Sequence, residues 1–242
     1  MKLIKLDAID STNDFLKALS CQDEIENFTV VTAENQTKGK GQRGAKWVSE
    51  LGKNLIMSVL VKDFLYNIEK VFDMNLIVSL SIIEALKKID IPDLSIKWPN
   101  DIMSYNKKIG GILIENTLKS DGRILSVVGF GLNVNQTNFE DLPHASSLKL
   151  ICNREFNKDI LPFLIIERIK QKIELWENNS ALYQEEYFNS LFRKGVPMAF
   201  KNIQNKNFMG IIQGVSPIGK LQVLLEDDSI AEFEIKEIQM LY

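Results

Sequence analysis

Between Leu94 and Asn135 the chain sets short apolar runs against tight turns, and this rhythm most narrows what it can fold into. The runs Leu94 to Trp98, Ile102 to Ser104, Lys108 to Leu118 and Ile124 to Val134 have strand length, with Tyr105-Asn106-Lys107 and Asp121-Gly122 as hairpin turns between them. Hairpins join antiparallel neighbours. The region therefore predicts an α+β fold, a mixed, largely antiparallel sheet with helices packed on one face. Asn67 to Asp90 supplies one helix, since Phe72, Leu76, Leu80, Ile83 and Leu86 share a face. Leu161, Ile165, Ile169, Ile173 and Trp176 trace another, and Leu182 to Phe192 one more. Nearer the N-terminus, Ser11 precedes Asp14 by three residues, the spacing of a capping box at a helix start, and Phe28 to Ala33 reads as a strand. Asn135 to Ser147 is polar and is expected to be a mobile loop. After Gly195 the texture changes to about five short strands, Met198 to Ile203, Phe208 to Val215, Lys220 to Leu225, Ile230 to Ile235 and Ile238 to Leu241. Such a unit suggests a small β-barrel. The expected domains are residues 1–193 and 194–242.

Composition excludes several classes. The chain has 242 residues, 45% hydrophobic and 25% charged, enough for one good core plus a small second module. A net charge of -3 argues against a general nucleic-acid coat. Its apolar runs are too short to span a membrane, and the N-terminus lacks a signal peptide's apolar segment, so a cytoplasmic location without membrane or nucleic-acid partners is expected. Cys21 and Cys152 have no ligand-spaced neighbours and are expected to be small buried apolar residues. His144, the single histidine, sits in a loop-like setting and reads as incidental. No metal ligand is directly assigned.

The segment Thr37 to Trp47 concentrates Gly39, Gly41 and Gly44 with Lys38, Lys40, Arg43 and Lys46, a composition suited to closing over an anion or to a plain solvated loop. Its glycines also satisfy G-x-G-x-x-G, with Asp63 downstream. The context rejects a dinucleotide site, because no crossover helix follows and Leu55 to Val61 reads as a strand. Three further segments put polar groups where strands end or bend. Pro99 breaks a strand beside Asn100 and Asp101; Gly110 and Gly111 interrupt an apolar strand after Lys108; Gly129 and Gly131 precede Asn133 and Asn135. Taken singly, each is also explained by a proline turn, a strand bulge or a polar strand end.

Together and in this order, these segments resemble the catalytic core of biotin protein ligases. The resemblance rests on Asp10-Ser11-Thr12-Asn13, the glycine loop ending at Trp47, Lys97-Trp98-Pro99-Asn100-Asp101, Lys108-Ile109-Gly110-Gly111-Ile112-Leu113, and Gly129-x-Gly131-x-Asn133-Val134-Asn135. It spans nearly the whole chain, including a C-terminal barrel of SH3-like kind. The resemblance implies a ligase that forms a C–N bond in two steps. Biotin and MgATP give biotinyl-5'-AMP, then a lysine of a biotin carboxyl carrier domain, of acetyl-CoA carboxylase or a related biotin enzyme, attacks the mixed anhydride. It further implies that Ser11, Thr12, Asn13 and Gln36 bind the ureido end of biotin, and that Gly39 and Lys40 hold its carboxyl and phosphate end. Lys108 would contact the forming anhydride, Gly111 would admit biotin close to its strand, and Trp47 and Asn133 would receive adenine. Gln42, Arg43 and Asn100 would serve the nucleotide, and Asp101 would face the phosphates and the incoming amine. Magnesium would arrive with the ATP phosphates.

Two departures stand out. Lys40 and Gln42 replace arginines usual in the family loop, which implies a less tightly held intermediate, with Arg43 and Lys46 as compensators. The resemblance is to the short form without an N-terminal DNA-binding domain, so no operator binding is expected, and a homodimer is. A lipoate or octanoate transferase of the related fold is the nearest rival, but its usual arginine-arginine-x-serine-glycine-glycine stretch is absent. A non-catalytic carrier-binding or nucleic-acid-binding module is the rival of another class; the Lys108 strand and the Asn100-Asp101 turn favour catalysis over it.

Overall fold

The computed structural model describes residues 2–21, 25–140 and 142–242. Strand β1 (Leu3–Ile9), helix α1 (Thr12–Leu19) and strand β2 (Val30–Gln36) open the chain, followed by β3 (Leu55–Val61), α2 (Val71–Lys87), β4 (Leu94–Lys97), β5 (Asp101–Ser104), β6 (Lys107–Leu118) and β7 (Ile124–Leu132). The seven strands form one sheet in the order β1-β2-β3-β7-β6-β5-β4. Only β1 and β2 run parallel, joined through α1; every other pair is antiparallel. Beyond the sheet lie α3 (Leu148–Cys152), α4 (Leu161–Glu174) and α5 (Trp176–Asn189).

Side chains alternate across a strand, so each strand contributes to two faces. Leu55, Met57, Val59 and Val61 of β3 join Val128, Phe130 and Leu132 of β7 in one core with residues of α2, α4 and α5. Leu60, Leu125 and Val127 point the other way and pack on Leu16 of α1. Three long helices thus cover one face, as the hairpin pattern predicts, and the short α1 covers part of the other. The remainder of that second face is where the cleft described below lies.

The C-terminal strands β8 (Pro197–Asn202), β9 (Asn207–Val215), β10 (Leu221–Leu225), β11 (Ile230–Phe233) and β12 (Ile238–Leu241) form a five-stranded antiparallel sheet, ordered β11-β10-β9-β8-β12. Phe200, Ile212, Leu221 and Val223 belong to the same continuous core as α2. No helix among the described residues is long and apolar enough to cross a membrane.

Several sequence expectations need correction. Cys21 is exposed, on the turn that ends α1, and only Cys152 is partly buried. The stretch from Asn135 to Ser147, of which Asp141 lies outside the described residues, is not free. Asn135 N donates to Lys53 O, Gln136 Oε1 accepts from Asn54 Nδ2, and Ser146 N donates to Lys108 O. Ser11 caps α1 by accepting from Asp14 N at 3.3 Å, while the Asp14 carboxylate is engaged by Lys40.

Candidate active site

Register builds the site. Directly paired residues in a sheet share a face, and the pairs Ile56–Gly131, Gly131–Gly111, Gly111–Asp101 and Asp101–Lys97 line up one row across β3, β7, β6, β5 and β4. The next row toward α1 is Ser58–Gly129–Leu113. Both rows lie on the α1 face, where the glycines lower the floor. A β-bulge in β6 completes the arrangement: Gly110 pairs with Ile102 and Lys108 with Met103, leaving Ile109 as the extra residue. Ile109 is buried in the main core, so the bulge returns Lys108 to the cleft face. There its Nζ lies 2.6 Å from Asp101 Oδ1, while Lys97 Nζ lies 3.7 Å from Oδ2 of the same carboxylate.

The floor is enclosed as a cleft of about 550 Å³. One end is neutral. Gln36 Oε1 accepts from Thr12 N (2.7 Å) and Thr12 Oγ1 (3.0 Å), and Ser58 Oγ donates to Asn13 Oδ1 (2.6 Å) and lies 2.8 Å from Thr12 Oγ1. Ser11, Thr12 and Asn13 are all buried. The rest of the cleft is cationic: Lys97 and Lys108 flank the Asp101 carboxylate, Lys46, Lys201 and Lys236 line the walls, and Lys40 enters from the loop while held by Asp14 of α1. In a chain of net charge -3 that concentration favours an anionic ligand.

The glycine loop is a narrow hairpin over this cleft. Trp47 N donates to Gly39 O, Gly41 N to Ala45 O, and Lys40 bridges to Lys46. A Cβ on Gly39 would stand 2.4 Å from Trp47 O, so the hairpin's base excludes any side chain there. The Trp47 ring lies over Gly131. Lys40 ion-pairs with Asp14 (2.6 Å), whose hydrogen bond holds the ammonium above the usual lysine value. Among the described residues, two loop atoms are buried without a partner, the acceptor Gln42 Oε1 and the donor Trp47 Nε1. Arg43 sits at the exposed tip in the left-handed region (φ 49°, ψ 43°).

A second cavity of about 530 Å³ adjoins the first, sharing Lys46, Trp47, Lys97, Asp101, Lys108, Gln239 and Met240. Asn133 lines it with apolar Val48, Phe139, Leu142, Pro143 and Ala145, and its Nδ2 donates to Ser146 O. His144 also lines it, its ring 5.2 Å from that of Tyr242.

Most of the site residues expected from sequence thus converge. Asn13 and Asn100 also serve the scaffold. Asn13 Nδ2 donates to Leu113 O and Glu115 Oε2, and Asn100 Nδ2 to Ile112 O at 2.5 Å. Arg43 does not line either cavity, and Gly39 shapes the loop rather than the wall. Sequence reasoning missed Ser58, whose only signal is a hydroxyl inside an otherwise apolar strand. It also missed Lys97 and the C-terminal wall of Lys201, Asn202, Lys236 and Gln239.

The chain is similar to several known proteins. The bifunctional ligase/repressor BirA of Escherichia coli K12 is 29% identical over 234 residues, covering 93% of this chain and 69% of that protein. The biotin–[acetyl-CoA-carboxylase] ligase of Mycobacterium tuberculosis is 25% identical over 214 residues, 87% of this chain and 79% of that one. Biotin protein ligase from Aquifex aeolicus, solved in complex with biotin and ATP, matches with a TM-score of 0.79 at 27% identity, over 99% of this chain and 98% of that chain. A model of the biotin/lipoate A/B protein ligase family matches residues 6–135, more than half of the sequence. The chain belongs to the biotin/lipoate A/B protein ligase family.

Proposed function

We propose that this chain is an ATP-dependent biotin protein ligase, which makes biotinyl-5'-AMP and passes the biotinyl group to a lysine of a biotin carboxyl carrier domain. One observation carries it: a single cleft has a neutral hydrogen-bonding end and a cationic end, joined over a glycine floor. That polarity suits a ligand with an uncharged ureido head and a carboxylate tail. Because Gln36 Oε1 is committed to Thr12, the Gln36 amide N–H groups are left to meet the ureido carbonyl, with the Ser11 hydroxyl beside them. Gly111 gives the bicyclic ring access to the strand.

The chemistry falls where the two cavities meet. A carboxylate oxygen of biotin attacks the α-phosphorus of ATP, and pyrophosphate leaves. Lys108 stabilises the charge that grows on the phosphoryl oxygens, and Asp101 holds its ammonium in place. Lys40, Lys46 and Lys97 neutralise the departing phosphates, Gln42 of the loop faces them from the cleft wall, and Trp47 with Asn133 receives adenine in the second cavity, while Arg43, at the exposed tip, lines neither cavity. The carrier lysine, as a neutral amine, then attacks the acyl carbon, expels AMP and gives up its proton. Asp101 is the one carboxylate lining either cavity among the described residues, and so the proposed acceptor. Among the described residues no cluster of three or more His, Cys, Asp or Glu side chains stands ready for a metal. Magnesium would arrive on the phosphate oxygens of ATP, with water completing its shell.

The proposed catalytic unit is residues 1–193, with 194–242 as a small SH3-like domain, and the carrier is that of acetyl-CoA carboxylase or a related biotin enzyme. The test is pyrophosphate release with biotin, ATP and magnesium, run beside lipoate and beside Lys108→Ala. Biotin-specific release that the variant loses is the expected result. Release with lipoate alone, or none with either acid, would overturn the assignment.

A further inference from the structure

The glycine hairpin is anchored at its base, by Lys40 to Asp14 and by Trp47 over Gly131, but its tip stands clear. Arg43, Gly44, Ala45 and Lys46 are exposed, and a Cβ on Gly44 would meet nothing within 4 Å. Among the described residues, one hydrogen bond reaches the tip from elsewhere in the chain: Lys236 Nζ donates to Arg43 O at 2.8 Å, across 193 positions of sequence.

Both partners are placed for it. The left-handed backbone of Arg43 turns its carbonyl out of the hairpin ladder. Lys236 is itself left-handed (φ 77°), in the turn from β11 to β12. That turn is fixed by Glu237 N donating to Glu234 O and by Glu234 N donating to Glu237 Oε2. An ammonium carried on a braced turn, facing a carbonyl at a hairpin's apex, makes a charge-assisted tie.

We propose that Lys236 is a positioning residue that straps the tip of the glycine loop to the C-terminal sheet, holding the loop closed over the activated acyl-adenylate. The strap itself is a property of the fold; its effect on the intermediate rests on the ligase reading above. It makes the C-terminal sheet a determinant of how long the loop stays shut, although Lys236 touches no reacting atom.

The closing experiment uses the Arg43–Gly44 peptide bond, whose carbonyl is the one Lys236 holds. Trypsin cleavage at that bond is followed by mass spectrometry in the intact protein without ligand, comparing wild type, Lys236→Met and Lys236→Arg. Cleavage several-fold faster in Lys236→Met, with Tm unchanged and the rate restored by Lys236→Arg, is expected. An unchanged rate in Lys236→Met, or one that Lys236→Arg fails to restore, overturns the strap. Escape of radiolabelled biotinyl-AMP is then timed; loss several-fold faster from Lys236→Met is expected, and an equal rate refutes the effect on the intermediate. Wild-type protein that forms no biotinyl-AMP would sink the ligase reading and, with it, the claim about the intermediate, while the proteolysis result still decides the strap.

Discussion

Gly110, Gly129 and Gly131 each have their missing side-chain volume filled by a neighbour, while Gly111 does not. A Cβ on Gly129 would come 2.1 Å from Asn13 Oδ1, and one on Gly110 would come 2.4 Å from Leu132 Cδ2. On Gly111 it would meet Lys108 Cε and Nζ at an ordinary 3.5 Å. Two substitutions that look alike in sequence should therefore behave differently. Gly129→Ala should destabilise the fold by about 1–3 kcal/mol through overpacking, seen as a Tm lowered by several degrees. Gly111→Ala should leave Tm unchanged and weaken biotin binding about tenfold, measured by calorimetry. Equal Tm losses in the two would refute this distinction. At the reacting centre, Lys108→Ala should lower the rate of pyrophosphate release about a hundredfold or more, by removing the charge that faces the transition state. The glycines, Lys108 and the Pro99 turn were legible in sequence because each breaks a local pattern. Ser58 was not, since a lone hydroxyl in an apolar strand has no partner until α1 is packed against it.

At the scale of elements, α2 is the buried spine: eleven of its seventeen residues are buried, including Met74, Ile77, Leu80, Ile83 and Leu86. Burying each such side chain contributes about 1.5–3 kcal/mol. In its first turn, Asp73 is half-buried, and burial raises its carboxyl above the usual 3.8. The folded state then binds this proton more tightly than the unfolded chain. Its contribution to stability is retained below 3.8 and lost as pH rises through the interval just above it. Asp73→Asn should consequently raise Tm at pH 7, with the advantage fading as the pH is lowered toward 3.5; an equal gain at both would contradict the burial origin. The hairpins and α2 were readable from turns and period. Strand β1 was not, because only pairing with β2 identifies Leu3–Ile9 as an edge. Helix α5 starts at Trp176, six residues before the expected Leu182, through Asn178, Asn179 and Ser180, which are poor helix formers on their own.

Over the whole molecule, the cleft is closed by residues far apart in the chain. Lys201, Asn202, Lys236 and Gln239 come from the C-terminal sheet, and Trp98 Nε1 donates to Gly219 O between the sheets. None of this was legible, since nothing local in Lys201 or Lys236 distinguishes it from a solvated surface lysine. Six lysines around one aspartate also make a field larger than any single pair. Raising ionic strength from about 0.05 to 0.5 M shortens the screening length from beyond 10 Å to about 4 Å. The KM for MgATP should rise several-fold over that range while the KM for biotin, gripped at the neutral end, changes little. Parallel increases in both would show that the two ends are not electrically distinct.

The bulge at Ile109 gives the register of β6 a meaning apart from its composition. A slip that set Ile109 opposite Met103 would keep every catalytic side chain in the sequence yet restore strict alternation, turning Lys108 inward to the hydrocarbon core and away from Asp101. Lengthening the neighbouring turns at Tyr105-Asn106 or Asp121-Gly122 would disturb no such parity. For anyone redesigning this protein, insertions and domain grafts belong in those turns, and the register of Lys108 to Gly111 against β5 is as much a part of the catalyst as the lysine it aims.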